Sequence, residues 1–196
     1  AIENFILDCA STTTSIGLKI TASDPQRGGR YSNIAAKNFT GKGFSIETST
    51  AQNGPIFYRC WATGGTSAAT AAFNHTTTSS ATYVDCIASG NSCHGFSFAT
   101  NNCSSIFTRC IAAANKTGGT YIGFNLNAAL SDTYLDGCVA YDNSGSGLSL
   151  AGSYVAVAAL NCIFVSNGGY GITMGVTLRH SLQAVDYNAF YNNTSG

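Results

Sequence analysis

The chain has 196 residues, 44% hydrophobic and 9% charged, with nine basic and nine acidic side chains and a formal net charge of zero. With no basic run it has no electrostatic footprint for nucleic acid or an anionic membrane surface, and with no stretch of 18 apolar residues it has no spanning helix. The length fits one domain over residues 1–196, and its polarity comes from Ser, Thr, Asn and Gly, a mixture that favours strands and turns over helices.

The elements repeat, and a repeat decides the fold before any single element does. The first unit is ILDCAS around Cys9, followed by Gly17-Leu18. AAKNFT around Asn38 leads to Gly43-Phe44, and FYRCWA around Cys60 leads to Ala72-Phe73. TYVDCIASGN carries Cys86 and Asn91 ahead of Gly95-Phe96; IFTRCIAAAN carries Cys110 and Asn115 ahead of Gly123-Phe124. LDGCVA holds Cys138, with Asn143 and Gly147-Leu148 after it, and LNCIFV holds Cys162, with Asn167 and Gly171-Ile172 after it. VDYNAF, around Asn188 and followed by Asn193, closes the series at eight units, spaced by 29, 22, 26, 24, 28, 24 and 26 residues.

Within each unit the anchor predicts a strand, and the asparagine five residues on predicts a turn in the left-handed conformation that this residue tolerates. The glycine opens a second strand, where GFSI, GFSF, GFNL, GLSL and GITM alternate with period two. A unit this short cannot bury its own apolar face. Stacked at about 4.8 Å, the spacing of hydrogen-bonded strands, the units form parallel sheets wound as a solenoid.

Coils near 24 residues, the asparagine column Asn91, Asn115, Asn143, Asn167 and Asn193, and the recurrent N-x-G-x-G-[FLI] text resemble the right-handed parallel β-helix of the pectate-lyase-like superfamily. The resemblance covers nearly the whole chain. It implies an all-β fold, a single-stranded right-handed parallel β-helix (solenoid) of about eight coils, open at both ends. The functions it implies span polysaccharide lyases, glycoside hydrolases, phage tailspikes, adhesins and modules without activity.

The cysteine column reads as an inward ladder of small, polarizable apolar residues rather than ligands, since thiolate metal sites use convergent C-x2-4-C spacing and none occurs. No cofactor or metal site is expected. Cys93 and Cys103 lie off the ladder within one coil and are either a disulfide, in an oxidising compartment, or two free thiols. The position before the anchor carries Asp8, Lys37, Arg59, Asp85 and Arg109, with Asp136 nearby after a one-residue insertion. Asp85, Arg109 and Asp136 are the catalytic candidates. The competing reading is that outward neighbours alternate in sign because like charges directly opposite destabilise a sheet. Glycoside hydrolysis requires two carboxyls roughly 5 to 9.5 Å apart, and no such pair repeats in one column on adjacent coils.

Tyr58 and Trp61 are the ligand-binding candidates, as a platform for sugar stacking, against inward packing. His75, His94 and His180 fall on different coils and columns, as turn or surface residues rather than ligands. Sequons at Asn38, Asn74, Asn102, Asn115, Asn192 and Asn193 follow from the composition. Without an amphipathic cap at either end, the chain reads as a segment of a longer β-helix or as a subunit that self-associates by end-to-end β-stacking. The expectation is therefore a non-catalytic, structural or adhesive module of an extracellular, cell-surface or virion fibre, tailspike or filament, with polysaccharide as its ligand. The alternative is a polysaccharide lyase or glycoside hydrolase.

Overall fold

A computed structural model describes residues 1–10, 15–21, 29–47, 54–66, 70–76, 80–98, 104–126, 131–150, 155–175 and 184–195. These residues contain strands and turns and no helix, and every strand pairing among them is parallel. The fold is a parallel β-solenoid with one sheet of fourteen strands and one of seven. The smaller sheet starts at Ile16–Ile20 and continues through Lys42–Ile46, Ala71–His75, His94–Phe98, Phe124–Asn125 and Leu148–Leu150 to Ile172–Met174. Among the described residues seven coils thus contribute to both sheets, against about eight expected; the level of Ala184–Asp186 and Ala189–Tyr191 belongs to the larger sheet alone.

In the larger sheet the strand Arg30–Lys37 pairs through its first half with Ile56–Tyr58 and through its second with Trp61–Thr63. From that coil onward the anchor strand is two short strands with a corner between them. The corner residues are left-handed: Arg59 at φ 50°, Asp85 at 53°, Arg109 at 51°, Gly137 at 62°, Asn161 at 54° and Tyr187 at 54°. The position before the anchor is therefore a bend, where the sequence suggested mid-strand. A left-handed L-residue costs about 1–2 kcal/mol, offset here because each corner N–H from Arg59 to Asn161 still bonds to the next coil, as from Arg59 to the Val84 carbonyl at 2.9 Å and from Arg109 to that of Asp136 at 2.8 Å.

Register also corrects two of the eight frames. Ile34 stands opposite Cys60, and Phe5 opposite Ile34, so the first two coils fill the cysteine column with Phe5 and Ile34. Cys9 and Asn38 sit four places further along, opposite Gly64, in a second left-handed column of Asn38, Gly64, Gly90, Ala114, Asp142, Ser166 and Asn192. The first two units lack a cysteine at the true position, so matching on cysteine slid them out of frame. Asn188, by contrast, does take the cysteine place, opposite Cys162, where its Oδ1 accepts the Cys162 N–H at 2.8 Å.

The asparagine column forms, for a different reason from the one expected. The left-handed residue is the one before each asparagine; the asparagine itself turns inward and ties coil to coil. Asn91 Nδ2 donates to Asn115 Oδ1, Asn115 to Asn143 and Asn143 to Asn167, each at 2.9 Å, and Asn167 to Asn193 at 3.0 Å. The second Nδ2 hydrogen of each goes to a carbonyl of the preceding coil, those of Ala62, Ala88, Ala112, Ala140 and Phe164. Buried amides are satisfied on both sides, which removes the desolvation cost an unpaired amide would carry. The sequons at Asn74 and Asn115 lie inside the solenoid, out of reach of glycosylation.

Between the sheets the core is two columns of stacked rings. Tyr31, Phe57, Tyr83 and Phe107 stack with centroids 5.4, 5.3 and 4.8 Å apart, and Phe44, Phe73, Phe96 and Phe124 with centroids 4.6, 4.7 and 5.0 Å apart. The columns meet edge to face, as at Tyr83 and Phe96, an arrangement matched to the ring quadrupole. The glycine column lets successive coils approach closely: a Cβ on Gly123 would stand 2.7 Å from the Gly147 carbonyl oxygen, and one on Gly147 2.8 Å from that of Gly171.

Candidate binding face

The inward positions are consumed by rings, thiols and amides, so any chemistry with a partner must lie on the outer surface. The cysteine ladder is buried. Cys60, Cys86, Cys110, Cys138 and Cys162 are free, buried thiols whose Sγ atoms donate to carbonyls, as from Cys86 to Phe57 and from Cys110 to Tyr83. Burial, then the hydrogen bonds with the Cys138 and Cys86 sulfurs, raises the Cys110 thiol well above its ordinary range. Cys93 is likewise a free, buried thiol, pushed up to about 12 by burial, while its suggested partner Cys103 lies outside the described residues. Among the described residues no group of three or more His, Cys, Asp or Glu side chains is placed to hold a metal ion.

The three catalytic candidates lie on the outer face but do not converge. Asp85 and Arg109 are corner residues of adjacent coils, joined by two parallel hydrogen bonds from Nε at 2.7 Å and Nη2 at 3.1 Å. Asp136 is not a corner residue, because Gly137 takes that place; it stands opposite Thr108, two coils from Asp85. Its carboxylate accepts from Asn161 Nδ2 at 2.9 Å. Each group is engaged by a neighbouring rung, and the Asp85–Arg109 pair has the alternation of sign that stacking favours. His94 is held in the structure too: its Nδ1 accepts the Ile122 N–H at 3.0 Å, and burial lowers its pKa. His75 is buried against Phe98, and His180 lies outside the described residues.

Both ligand-binding candidates face outward. Trp61 is 38% exposed, in a column continued by Ile87 and Ile111. The guanidinium groups of Arg30 and Arg59 lie over the Tyr58 ring, 5.4 and 4.8 Å from its centroid. The corner at Arg59 and the inward Cys60 separate Tyr58 from Trp61, so the two rings do not form one plane.

A feature not singled out from the sequence lies on the same sheet, at the entrance to its strands. There a cleft of about 410 Å³ crosses four coils and is lined by Ser80, Thr82, Ser104, Ile106, Asp132 and Tyr134, among others. Thr82, Ile106 and Tyr134 are successive members of one outward column, and Ser105 and Thr133 are neighbours in the adjoining inward column. The signal was present in the repeat: Ser80, Ser104 and Asp132 each stand two residues before an outward column member. It is visible only once the register is known. Comparison with known proteins finds no family model, curated protein or solved structure that matches this chain.

Proposed function

We propose that this chain is a non-catalytic structural module, a rigid length of β-solenoid in an extracellular fibre, tailspike or filament of a cell surface or virion, built on the plan of the pectate-lyase-like superfamily. The observation that carries this reading is the unbroken amide ladder from Asn91 to Asn193, which commits the side chains of Asn91, Asn115, Asn143, Asn167 and Asn193 to coil-to-coil bonds. The outer carboxylates Asp85 and Asp136 are likewise engaged by neighbouring rungs. Burial protects the thiols from an oxidising exterior.

Such a module extends by adding coils. Each inner rung of the ladder uses both Nδ2 hydrogens, whereas among the described residues Asn193 is bonded through Nδ2 only to the Phe164 carbonyl, and the adjoining ring of Phe190 is 50% exposed. This edge offers a hydrogen-bond donor and an apolar surface to a second copy of the chain. Light scattering across a concentration series tests association between copies; a strictly monomeric species removes it. Assays of lyase and hydrolase activity on a panel of polysaccharides test the structural reading. It predicts no turnover, and turnover abolished by Asp136→Asn would contradict it.

A further inference from the structure

The outer face of the larger sheet is self-complementary, and we propose that it pairs with the same face of a second copy of the chain, the two solenoids lying side by side and antiparallel. One outward column runs Arg30, Ile56, Thr82, Ile106, Tyr134 and Ala158. Ile56, Ile106 and Tyr134 are 42%, 46% and 38% exposed in it, an apolar stripe of the kind that marks an interaction surface. Charge is graded along the same face. At one end Arg30 and Arg59 lie over the Tyr58 ring, and among the described residues neither has a carboxylate partner. Three levels further on stand Asp132 and Asp136, and among the described residues neither has a cationic partner. Between these ends Asp85 and Arg109 neutralise each other.

The gradient selects the antiparallel arrangement. A two-fold axis along the strand direction, midway between the Thr82 and Ile106 levels, sets each column against its own reverse. Thr82 then faces Ile106 of the second copy, Ile56 faces Tyr134, and Asp85 faces Arg109, which closes a ring of four charges alternating in sign. Tyr58 faces Asp136, whose carboxylate accepts the phenol O–H, and Arg59 faces Gly137, which sets its guanidinium beside that same carboxylate. Parallel pairing would instead bring the arginine end onto its own copy, like charge on like. The six levels from Arg30 to Ala158 at about 4.8 Å, and the six residues from Asp132 to Gly137 at about 3.3 Å, give roughly 600 Å² per copy. The total of about 1,200 Å² lies at the lower end of specific interfaces, so the dimer is reversible. Glu3 and Asp186, one level beyond either end, would meet as like charges; sheet twist splays the ends apart, and the contact stops at these six levels. The pairing uses no strand edge and is independent of whether coils add at the ends.

The test is sedimentation velocity of the full chain from about 1 to about 500 μM. A monomer–dimer equilibrium is expected, weakened at least tenfold by about 0.5 M NaCl, which screens the charge pairs. Arg59→Glu and Asp136→Arg should each weaken dimerisation at least tenfold. An equimolar mixture of the two variants should restore it, since every contact between the two different copies again joins opposite signs. An end-to-end pair, in which positions 59 and 136 never meet, gives no such rescue. Thermal melts confirm the fold; if either charge variant loses it, Ile106→Ser, at an exposed strand position beside the axis, should weaken dimerisation at least tenfold and decides. The proposal is overturned if the chain is monomeric across the series, if it associates beyond a dimer regardless of these substitutions, or if the mixture of folded variants stays monomeric.

Discussion

Asn143 is the rung whose removal best tests how the coils are held. Its Nδ2 donates to Asn167 Oδ1 and to the Ala112 carbonyl, each at 2.9 Å. Its Oδ1 accepts from Asn115 Nδ2 at 2.9 Å and from the Asn115 N–H at 3.3 Å. Asn143→Ala removes all four bonds at a position 2% exposed, where water does not replace them. A buried hydrogen bond contributes about 1 kcal/mol, and an orphaned buried partner costs about 1–3 kcal/mol. With the Asn115 N–H and an Asn115 Nδ2 hydrogen orphaned, the expected loss is about 3–5 kcal/mol. Asn193→Ala removes fewer bonds at a rung that water reaches, and should cost about 1 kcal/mol. Because a solenoid opens piecewise, the measurement is native-state hydrogen exchange at the Ile111 and Val139 amides, which bond the Cys86 and Cys110 carbonyls in the adjoining coils. Equal small losses in the two variants would refute the reasoning, since the ladder would then be an accompaniment of the fold rather than a support.

Three further outcomes follow. Ala114 is left-handed at φ 52° in a column where Gly64 and Gly90 also stand. Ala114→Gly should therefore stabilise by about 0.5–1 kcal/mol, the relieved strain less the added freedom of the unfolded chain; a destabilised urea midpoint would contradict it. Glu47 is lowered from 4.5 to about 2 by its hydrogen bond to Lys19, outweighing the opposing effect of burial, with Lys42 and Ser45 adding to the lowering. A depressed carboxylate gives stability that is complete above its unfolded value and is lost as pH falls, so the parent should weaken between about pH 4.5 and about 2. Glu47→Gln should flatten that limb of the melting curve, and an unchanged limb would count against the pairing. Finally, Cys60, Cys86, Cys93, Cys110, Cys138 and Cys162 are buried. They should resist iodoacetamide in the folded protein and react on unfolding; fast labelling of any of them, read by mass spectrometry, would show that the ladder is open.

The architecture was readable in the sequence because the solenoid repeats its inward residues: the glycine-aromatic pairs, the cysteines from Cys60 to Cys162 and the asparagines from Asn91 to Asn193 each recur in one structural column. The first two coils were not, because Phe5 and Ile34 fill the cysteine column with another apolar type and the conspicuous Cys9 and Asn38 drew the alignment four places along. The corners were hidden for a related reason. Arg59, Arg109 and Tyr187 are not residues that announce a left-handed conformation; stacking imposes it. Asp85 and Arg109 were rightly read as neighbours on adjacent coils, whereas Asp136 was placed near their column and stands one position outside it. The cleft around Asp132 and Tyr134 depends on which outward columns adjoin, and that is a property of the register rather than of any single motif.

The account rests on side chains joined from coil to coil, and the side-chain amide protons of Asn91, Asn115, Asn143, Asn167 and Asn193 report this directly. In nuclear magnetic resonance spectra of the folded chain they should show an unbroken sequence of cross-peaks, each amide to the next, with slow exchange at Asn115 and Asn143. Fast-exchanging asparagine amides without contacts across 24 to 28 residues would contradict it.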